Sequence, residues 1–150
     1  MRVAGATELA VPAAALRTAL GDPERLVAAL PHVDALGWDA AEDGSFTATI
    51  RPAIALGEIP VRTRWTPVRA GDPAVLRYRV EGRTDEHALA LDAIVATTAG
   101  DGVTMVTWAV ELHLTGTLRS AGQRVLEAIV ARQVQLVLEA AARQAAASPA

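Results

Sequence analysis

The chain has 150 residues, a formal net charge of −3 at pH 7 and no cysteine. The acidic balance argues against nucleic-acid binding, which needs clustered positive charge. The lack of cysteine excludes disulfides, thiolate chemistry and cysteine-based zinc or iron–sulfur sites. Half of the residues (51%) are hydrophobic but only 3% are aromatic, so the core must consist mainly of alanine, valine and leucine. The length suits a single domain over residues 1–150 with a frayed tail.

The N-terminal segment has no signal-peptide pattern, because its short apolar run is interrupted by Glu8. No stretch approaches the roughly 20 apolar residues that span a bilayer. We therefore expect a cytoplasmic, soluble protein, with peripheral contact at the inner face of the membrane as an open alternative.

Two short helices are predicted after a first strand. Residues 2–11 have the composition of a strand, and residues 13–20 predict a short helix. Asp22 as N-cap and Pro23 in the first turn predict a second helix, which ends before Pro31.

Regularly spaced turn signals divide the next part of the chain into strands. The predicted strands are 33–40, 45–54, 58–68, 75–82, 86–98 and 103–114. Short turns between them, such as Gly100-Asp101-Gly102, imply an antiparallel meander. Apolar and polar residues alternate along these strands, so one face of the sheet is apolar and must be covered.

The stretch Thr115–Arg143 contains no proline, and its apolar residues recur at spacings of three and four. This pattern predicts a long amphipathic helix, with Thr115 or Thr117 able to cap its start. The helix is the natural cover for the apolar face. The predicted fold is therefore α+β, a curved antiparallel sheet wrapped around a long C-terminal helix, with two short helices after strand one.

This order of elements resembles the helix-grip arrangement of the START-like (SRPBCC) superfamily, which includes Bet v 1-like and polyketide cyclase proteins. Local motifs are similar to those of the CoxG family of carbon monoxide dehydrogenase proteins. Segment 21–36, GDPERLVAALPHVDAL, resembles that family's D-P-E-x-L-x-x-x-x-P-G, with His32 in place of the final glycine. Segments 55–59 (ALGEI) and 102–108 (GVTMVTW) resemble its G-P-I turn, with Glu58 replacing the proline, and its G-T-x-L-x-Y motif. Gly116, Leu118, Gly122 and Arg124 fit its pattern entering the last helix.

The resemblance implies a closed hydrophobic cavity between sheet and long helix, and a role beside molybdenum hydroxylases such as carbon monoxide dehydrogenase. CoxG-type proteins are associated with bringing that enzyme to the membrane or with handling a lipid-like electron carrier such as a quinone. The matching motifs are turns, a helix cap and packing glycines, so they support the fold and assign no catalytic residue. No cofactor is expected.

Inward-facing residues of the predicted sheet and helix define a candidate ligand pocket. They are Ile50, Ile59, Val61, Trp65, Tyr78, Leu91, Val106, Trp108, Val110, Leu118, Gly122, Val125, Ile129 and Gln133. Two interpretations are open: an ordinary dry core, or a cavity that binds a hydrophobic small molecule or lipid. A sheet curled around a helix leaves space unless large side chains fill it, and this chain has few. The hypothesis is therefore a ligand cavity.

Four polar residues fall within this apolar set. Gln133 lies among apolar helix neighbours, and Thr63, Tyr78 and Trp108 are on the inward face of predicted strands. A buried polar atom needs a hydrogen-bond partner. The partner is either a group of the protein itself, or solvent for a tilted Gln133, or the polar group of a ligand.

Five arginines occupy the outer face of three consecutive predicted strands. They are Arg51, Arg62, Arg64, Arg77 and Arg79. They form either a docking face for an anionic lipid surface or an acidic protein partner, or a solvated face paired with Glu81 and Glu111.

Metal-binding and catalytic patterns are weak. The three histidines show no HxH or HExxH spacing, and no serine stands in G-x-S-x-G. General acid–base chemistry would fall to His87, Asp85, Tyr78 and Asp92, provided that their side chains reach the cavity. Ligand binding is favoured; the alternatives are a polyketide cyclase-like enzyme using the same cavity, and a ligand-free accessory module that docks a partner protein.

Overall fold

The computed structural model describes residues 1–30, 33–41, 43–50, 53–54, 57–58, 60–84, 88–114 and 123–147. The strands are β1 (Arg2–Leu9), β2 (Val33–Ala40), β3 (Phe46–Ile50), β4 (Ala53–Ile54), β5 (Gly57–Glu58), β6 (Val61–Val68), β7 (Val75–Arg83), β8 (Ala88–Ala99) and β9 (Thr104–Leu114). The helices are α1 (Ala13–Gly21), α2 (Pro23–Ala29) and α3 (Gln123–Ala147).

Seven strands form one antiparallel sheet in the order β1-β9-β8-β7-β6-β3-β2. Strands β6 to β9 follow one another as a meander, while β1 closes one edge by pairing with β9 from Arg2 opposite Glu111 to Leu9 opposite Thr104. Two of the connecting turns carry glycines with positive φ, Gly71 at 79° and Gly102 at 71°, which other residues rarely adopt. The predicted α+β helix-grip fold is confirmed.

The two short helices share Asp22. Its carboxylate accepts a hydrogen bond from the backbone N–H of Glu24 at 3.1 Å, which caps α2, and Pro23 occupies the first turn. Its own backbone N–H donates to the carbonyl of Thr18 at 3.1 Å, which closes α1. The predicted cap is confirmed, and one residue fixes the angle between the two helices.

The predicted strands 45–54 and 58–68 are each divided in the structure. The main sheet contains only β3 and β6 from these stretches, and β4 and β5 form a separate two-stranded ladder. Pro60 stands immediately before β6 and has no N–H to donate to a ladder. A single pair of long strands through this region is therefore wrong.

Helix α3 covers the apolar face of the sheet and contacts α1, α2 and β1. Residues 115–122 of the predicted helix, including its proposed caps, lie outside the described residues. At the other end the helix continues four residues beyond Arg143 to Ala147, because alanine is the best helix former. The amide of Gln144 donates to the carbonyl of Arg25 at 3.0 Å, which ties this end to α2.

The dry core lies where the C-terminal half of α3 meets the short helices and one end of the sheet. Its most buried members are Leu16, Ala19, Val106, Leu138 and Ala141, none more than 1% exposed. The other half of α3 faces the sheet at a distance that leaves space between them. That space is the candidate functional site.

Candidate functional site

The inner face of the sheet is apolar because its strands alternate as the sequence predicts. Along β7, Leu76 and Tyr78 are half-buried and Val80 is buried, whereas Arg77 and Arg79 between them are exposed. Cross-strand neighbours keep the same face, since Val80 pairs with Leu91 of β8 and Leu91 pairs with Leu112 of β9.

Between this face and α3 lies a cavity of about 310 Å³. This volume is at the lower end of the roughly 300–1,000 Å³ that small-molecule sites occupy. Its wall is contributed by α1 and α2, by β3 and β6 to β9, and by α3. The described part of the wall contains no aspartate, glutamate, lysine, arginine or histidine.

Nine residues of the predicted pocket lie on this wall: Ile50, Val61, Trp65, Tyr78, Leu91, Trp108, Val110, Ile129 and Gln133. Ile59, Leu118 and Gly122 fall outside the described residues, and so does the side chain of Val125. The structure thus brings one set of predicted residues around one space.

Val106 is part of the packed core rather than of the cavity wall, with a fully buried side chain. It pairs with Thr97 of β8, whose hydroxyl accepts a hydrogen bond from the Arg17 guanidinium of α1 at 3.4 Å. Two residues earlier, the Thr104 hydroxyl donates to the Val11 carbonyl at 2.6 Å. The chain leading into α1 therefore covers this end of β9 and leaves no space beside Val106.

Several wall residues were outside the predicted pocket. Leu20 of α1, Leu26 of α2 and Leu30 just after α2 contribute the side nearest the short helices. Their apolar spacing in the sequence indicates burial, but it does not say what they face. Gly82 and Leu89 line the opposite end, near the turn from β7 to β8.

Two polar groups on the wall are bound to the protein itself. The Thr63 hydroxyl donates to the Ala48 carbonyl at 2.6 Å and accepts the indole N–H of Trp65 at 2.8 Å. The Trp65 ring stacks on Phe46 with centroids 5.5 Å apart and meets the Tyr78 ring edge-on at 6.2 Å. This arrangement fixes an aromatic wall and leaves neither Thr63 nor Trp65 in need of another partner.

Tyr78 is also engaged. Its hydroxyl donates to the Leu20 carbonyl of α1 at 2.9 Å. Burial raises the pKa of this hydroxyl to about 12, and the charge of Asp22 adds to the rise, because both disfavour the phenolate. Tyr78 is therefore a neutral structural donor at ordinary pH.

Gln133 and Trp108 differ from these residues. Both line the cavity, and Trp108 is only 7% exposed. Within the part of the chain that the structure describes, neither the Gln133 amide nor the Trp108 indole N–H forms a hydrogen bond. These are the polar groups of the wall that the protein leaves available.

The outer face carries the arginines. Arg62, Arg64, Arg77 and Arg79 are exposed as predicted, and Arg51 lies outside the described residues. Arg64 stands opposite Glu81, and Arg79 opposite Asp92. Arg62, however, stands directly opposite a further arginine, Arg83. Only part of this surface therefore has acidic neighbours across the strands.

The acid–base candidates are not assembled in the cavity. Asp92 is exposed on the outer face, Tyr78 is bound to Leu20, and Asp85 and His87 lie outside the described residues. Among the described residues there is also no group of three or more potential metal ligands. None of the helices in the described ranges is both long and apolar enough to cross a bilayer.

Known structures with this architecture define the class. A conserved protein from Geobacillus kaustophilus superposes with a TM-score of 0.86 at 17% identity, covering 97% of this chain and 95% of that one. A START superfamily protein from Mycobacterium smegmatis gives 0.70 at 10% identity over 97% of both chains. The ZhuI aromatase/cyclase from Streptomyces sp. R1128 gives 0.69 at 17% identity, covering 97% and 93%. The fold is therefore that of the START-like proteins.

Within that class the family is defined by sequence. The chain belongs to the CoxG family of carbon monoxide dehydrogenase proteins, whose model matches residues 5–146. No curated protein sequence matches the chain. The resemblance noted from the motifs around Asp22 and Gly102 is thereby confirmed.

Proposed function

We propose that this protein binds a hydrophobic small molecule in the cavity between the sheet and α3. The observation that carries the proposal is the 310 Å³ space whose described wall has no charged side chain. Membership of the CoxG family and the START-like fold support it.

The size of the cavity bounds what can be enclosed. At roughly 30 Å³ for each water-sized group, the space holds about ten non-hydrogen atoms. Each CH₂ group moved from water onto the apolar wall contributes about 0.8 kcal/mol. A ligand of this size can bind usefully through burial alone, whereas a long isoprenoid tail would have to extend beyond the cavity.

A quinone or similar lipid is the ligand class that fits the family best, with the protein as an accessory to a molybdenum hydroxylase such as carbon monoxide dehydrogenase. The family's name provides the link to that enzyme. The ring of a quinone is close to the cavity in size, and its tail is the part that would protrude. Catalysis of the cyclase type has less support, since the described wall provides no acid or base.

A specific observation favours protein docking as a second role. Strands β6 and β7 place five exposed arginines and one glutamate, Glu81, on the outer face. Like charges directly opposite each other destabilise a sheet, and Arg62 and Arg83 are such a pair. An acidic surface of the partner enzyme would relieve that repulsion, so we assign this face to protein docking.

Binding of a neutral lipophilic dye such as Nile red tests the ligand site directly. Leu91 lines the cavity, and Leu91→Trp would fill part of it. The matched control is Thr107→Trp, which adds the same ring to an exposed position on β9. Dye binding should be lost in the first variant and kept in the second, with both folded by circular dichroism. Equal dye binding by the two folded variants would place the dye elsewhere and contradict the proposal.

A further inference from the structure

The polar groups of the cavity wall fall into two kinds. Thr63, Trp65 and Tyr78 donate to groups of the protein, whereas Gln133 and Trp108 have no hydrogen-bond partner among the described residues. We infer that Gln133 and Trp108 select a neutral ligand that carries a hydrogen-bond acceptor of the carbonyl type. This inference rests on the proposed ligand-binding function and specifies the chemistry of the ligand.

The position of Gln133 on α3 supports the inference. Residues three or four apart share one face of a helix, and Ile129, Val130 and Val137, at those spacings from Gln133, all line the cavity. Gln133 is half-buried on the same face. A glutamine in the middle of an apolar stripe reduces the apolar burial that leucine would provide at that position.

Other glutamines of α3 behave differently. The Gln135 amide donates to Glu139 at 3.0 Å and to the Thr7 hydroxyl at 3.4 Å. The Gln144 amide donates to the Arg25 carbonyl at 3.0 Å. Both therefore serve the protein's own structure, and Gln133 is the one directed to the cavity.

The donor chemistry decides which polar group the ligand carries. An indole N–H can only donate, and a glutamine amide can donate through its nitrogen. A carbonyl oxygen, with two lone pairs, can accept from one or both. A ligand group that only donates would leave Trp108, which is 7% exposed, without a partner.

The absence of charge on the described wall decides that the ligand is neutral. A carboxylate moved into an apolar site without a cation loses its hydration and gains no ion pair. The described wall has no arginine, lysine or histidine to compensate it. A ketone, ester or quinone carbonyl fits these walls, and a fatty-acid anion does not.

Three probes of nearly equal size test the inference by displacement of Nile red: 2-decanone, n-undecane and the decanoate anion. Wild-type protein should bind 2-decanone and n-undecane, and decanoate at least tenfold more weakly than 2-decanone. Gln133→Leu should weaken 2-decanone binding roughly fivefold, the worth of one neutral hydrogen bond. It should leave n-undecane binding equal or stronger.

Gln135→Leu is the matched control, because it makes the same substitution on the same helix at a residue outside the cavity wall. It should change neither probe. Trp108→Phe removes the indole N–H and provides a second variant if Gln133→Leu does not fold. It should also weaken 2-decanone relative to n-undecane.

The outcomes separate the two claims. If wild-type protein binds both neutral probes but Gln133→Leu and Trp108→Phe change them by the same factor, the carbonyl inference is overturned and the apolar site stands. Binding of decanoate as tight as that of 2-decanone overturns the inference as well. If neither neutral probe displaces the dye, the ligand-binding proposal fails together with it.

Discussion

The hydroxyl of Tyr78 in β7 donates a hydrogen bond to the carbonyl of Leu20 in the last turn of α1, at 2.9 Å. Carbonyls at the end of a helix have no partner within the helix, so the tyrosine caps α1 from the sheet. Both residues also line the cavity. One contact therefore joins the short helices to the sheet and holds two sides of the cavity in place.

Replacing this tyrosine tests the contact. Tyr78→Phe keeps the ring but removes the donor, and we expect the free energy of unfolding in urea to fall by about 1 kcal/mol. Thr18→Ala is a suitable control, because it removes an exposed side-chain hydrogen bond to Ala14 within α1. It should change stability by less than about 0.5 kcal/mol. Equal stability of Tyr78→Phe and wild type would mean that the hydrogen bond does not hold α1.

The same residue gives a pH dependence. Tyr78 is the chain's single tyrosine, so ultraviolet absorbance of tyrosinate reports its ionisation alone. Its pKa is raised from 10.0 to about 12 in the folded protein. The folded state holds the proton more tightly than the unfolded state, so this contribution to stability is complete below pH 10 and is lost as pH rises towards 12. A titration midpoint near 10 in folded protein would contradict the buried, bonded hydroxyl.

Gly5 makes room for the indole of Trp108. The two residues pair across β1 and β9, and a Cβ atom at Gly5 would lie 2.7 Å from Cζ2 of the indole. Gly5→Ala should therefore displace a buried ring and lower the unfolding free energy by about 1–3 kcal/mol. Because Trp108 lines the cavity, Nile red binding should weaken as well.

Gly21→Ala is the control for this substitution. A Cβ at Gly21 would meet only Leu76 Cδ2, at 3.9 Å, which is ordinary contact. Thermal unfolding should be little changed by Gly21→Ala. If Gly5→Ala is equally harmless, the close packing of β1 against Trp108 is not as described.

The arginine face gives a prediction on partner binding. Changing Arg62, Arg64 and Arg77 together to glutamine should abolish binding to the molybdenum hydroxylase in a pull-down, and wild-type binding should weaken as salt increases. A charge-matched control changes Arg124, Arg132 and Arg143, which are exposed on α3. Retained enzyme binding by the first triple variant contradicts protein docking through this face. Enzyme binding that needs anionic phospholipid vesicles would assign the arginines to a membrane surface instead.

Much of the architecture could be predicted from local patterns. Alternation along β7 places Tyr78 inward and Arg77 outward because a strand has a period of two, and the Asp22-Pro23 pair specifies where α2 begins. The break between β5 and β6 was missed, although Pro60 is a signal for it. The alternation on either side looked continuous and outweighed a single residue.

The cavity could be predicted only in outline. Which strand residues face inward follows from the sequence, but the packed end around Val106 depends on how the chain before α1 bonds to Thr104. The contribution of Leu26 to the wall depends on how α2 sits over the sheet. That Gln133 has no protein partner while Gln135 has two is likewise a tertiary property, because both are glutamines on the same helix.

The most direct test of the ligand-binding account is native mass spectrometry of the purified protein, followed by denaturing extraction and identification of what is released. The account predicts a one-to-one adduct of a neutral, largely apolar compound with a carbonyl group, absent from the Leu91→Trp variant. An empty protein that also fails to bind Nile red would contradict it.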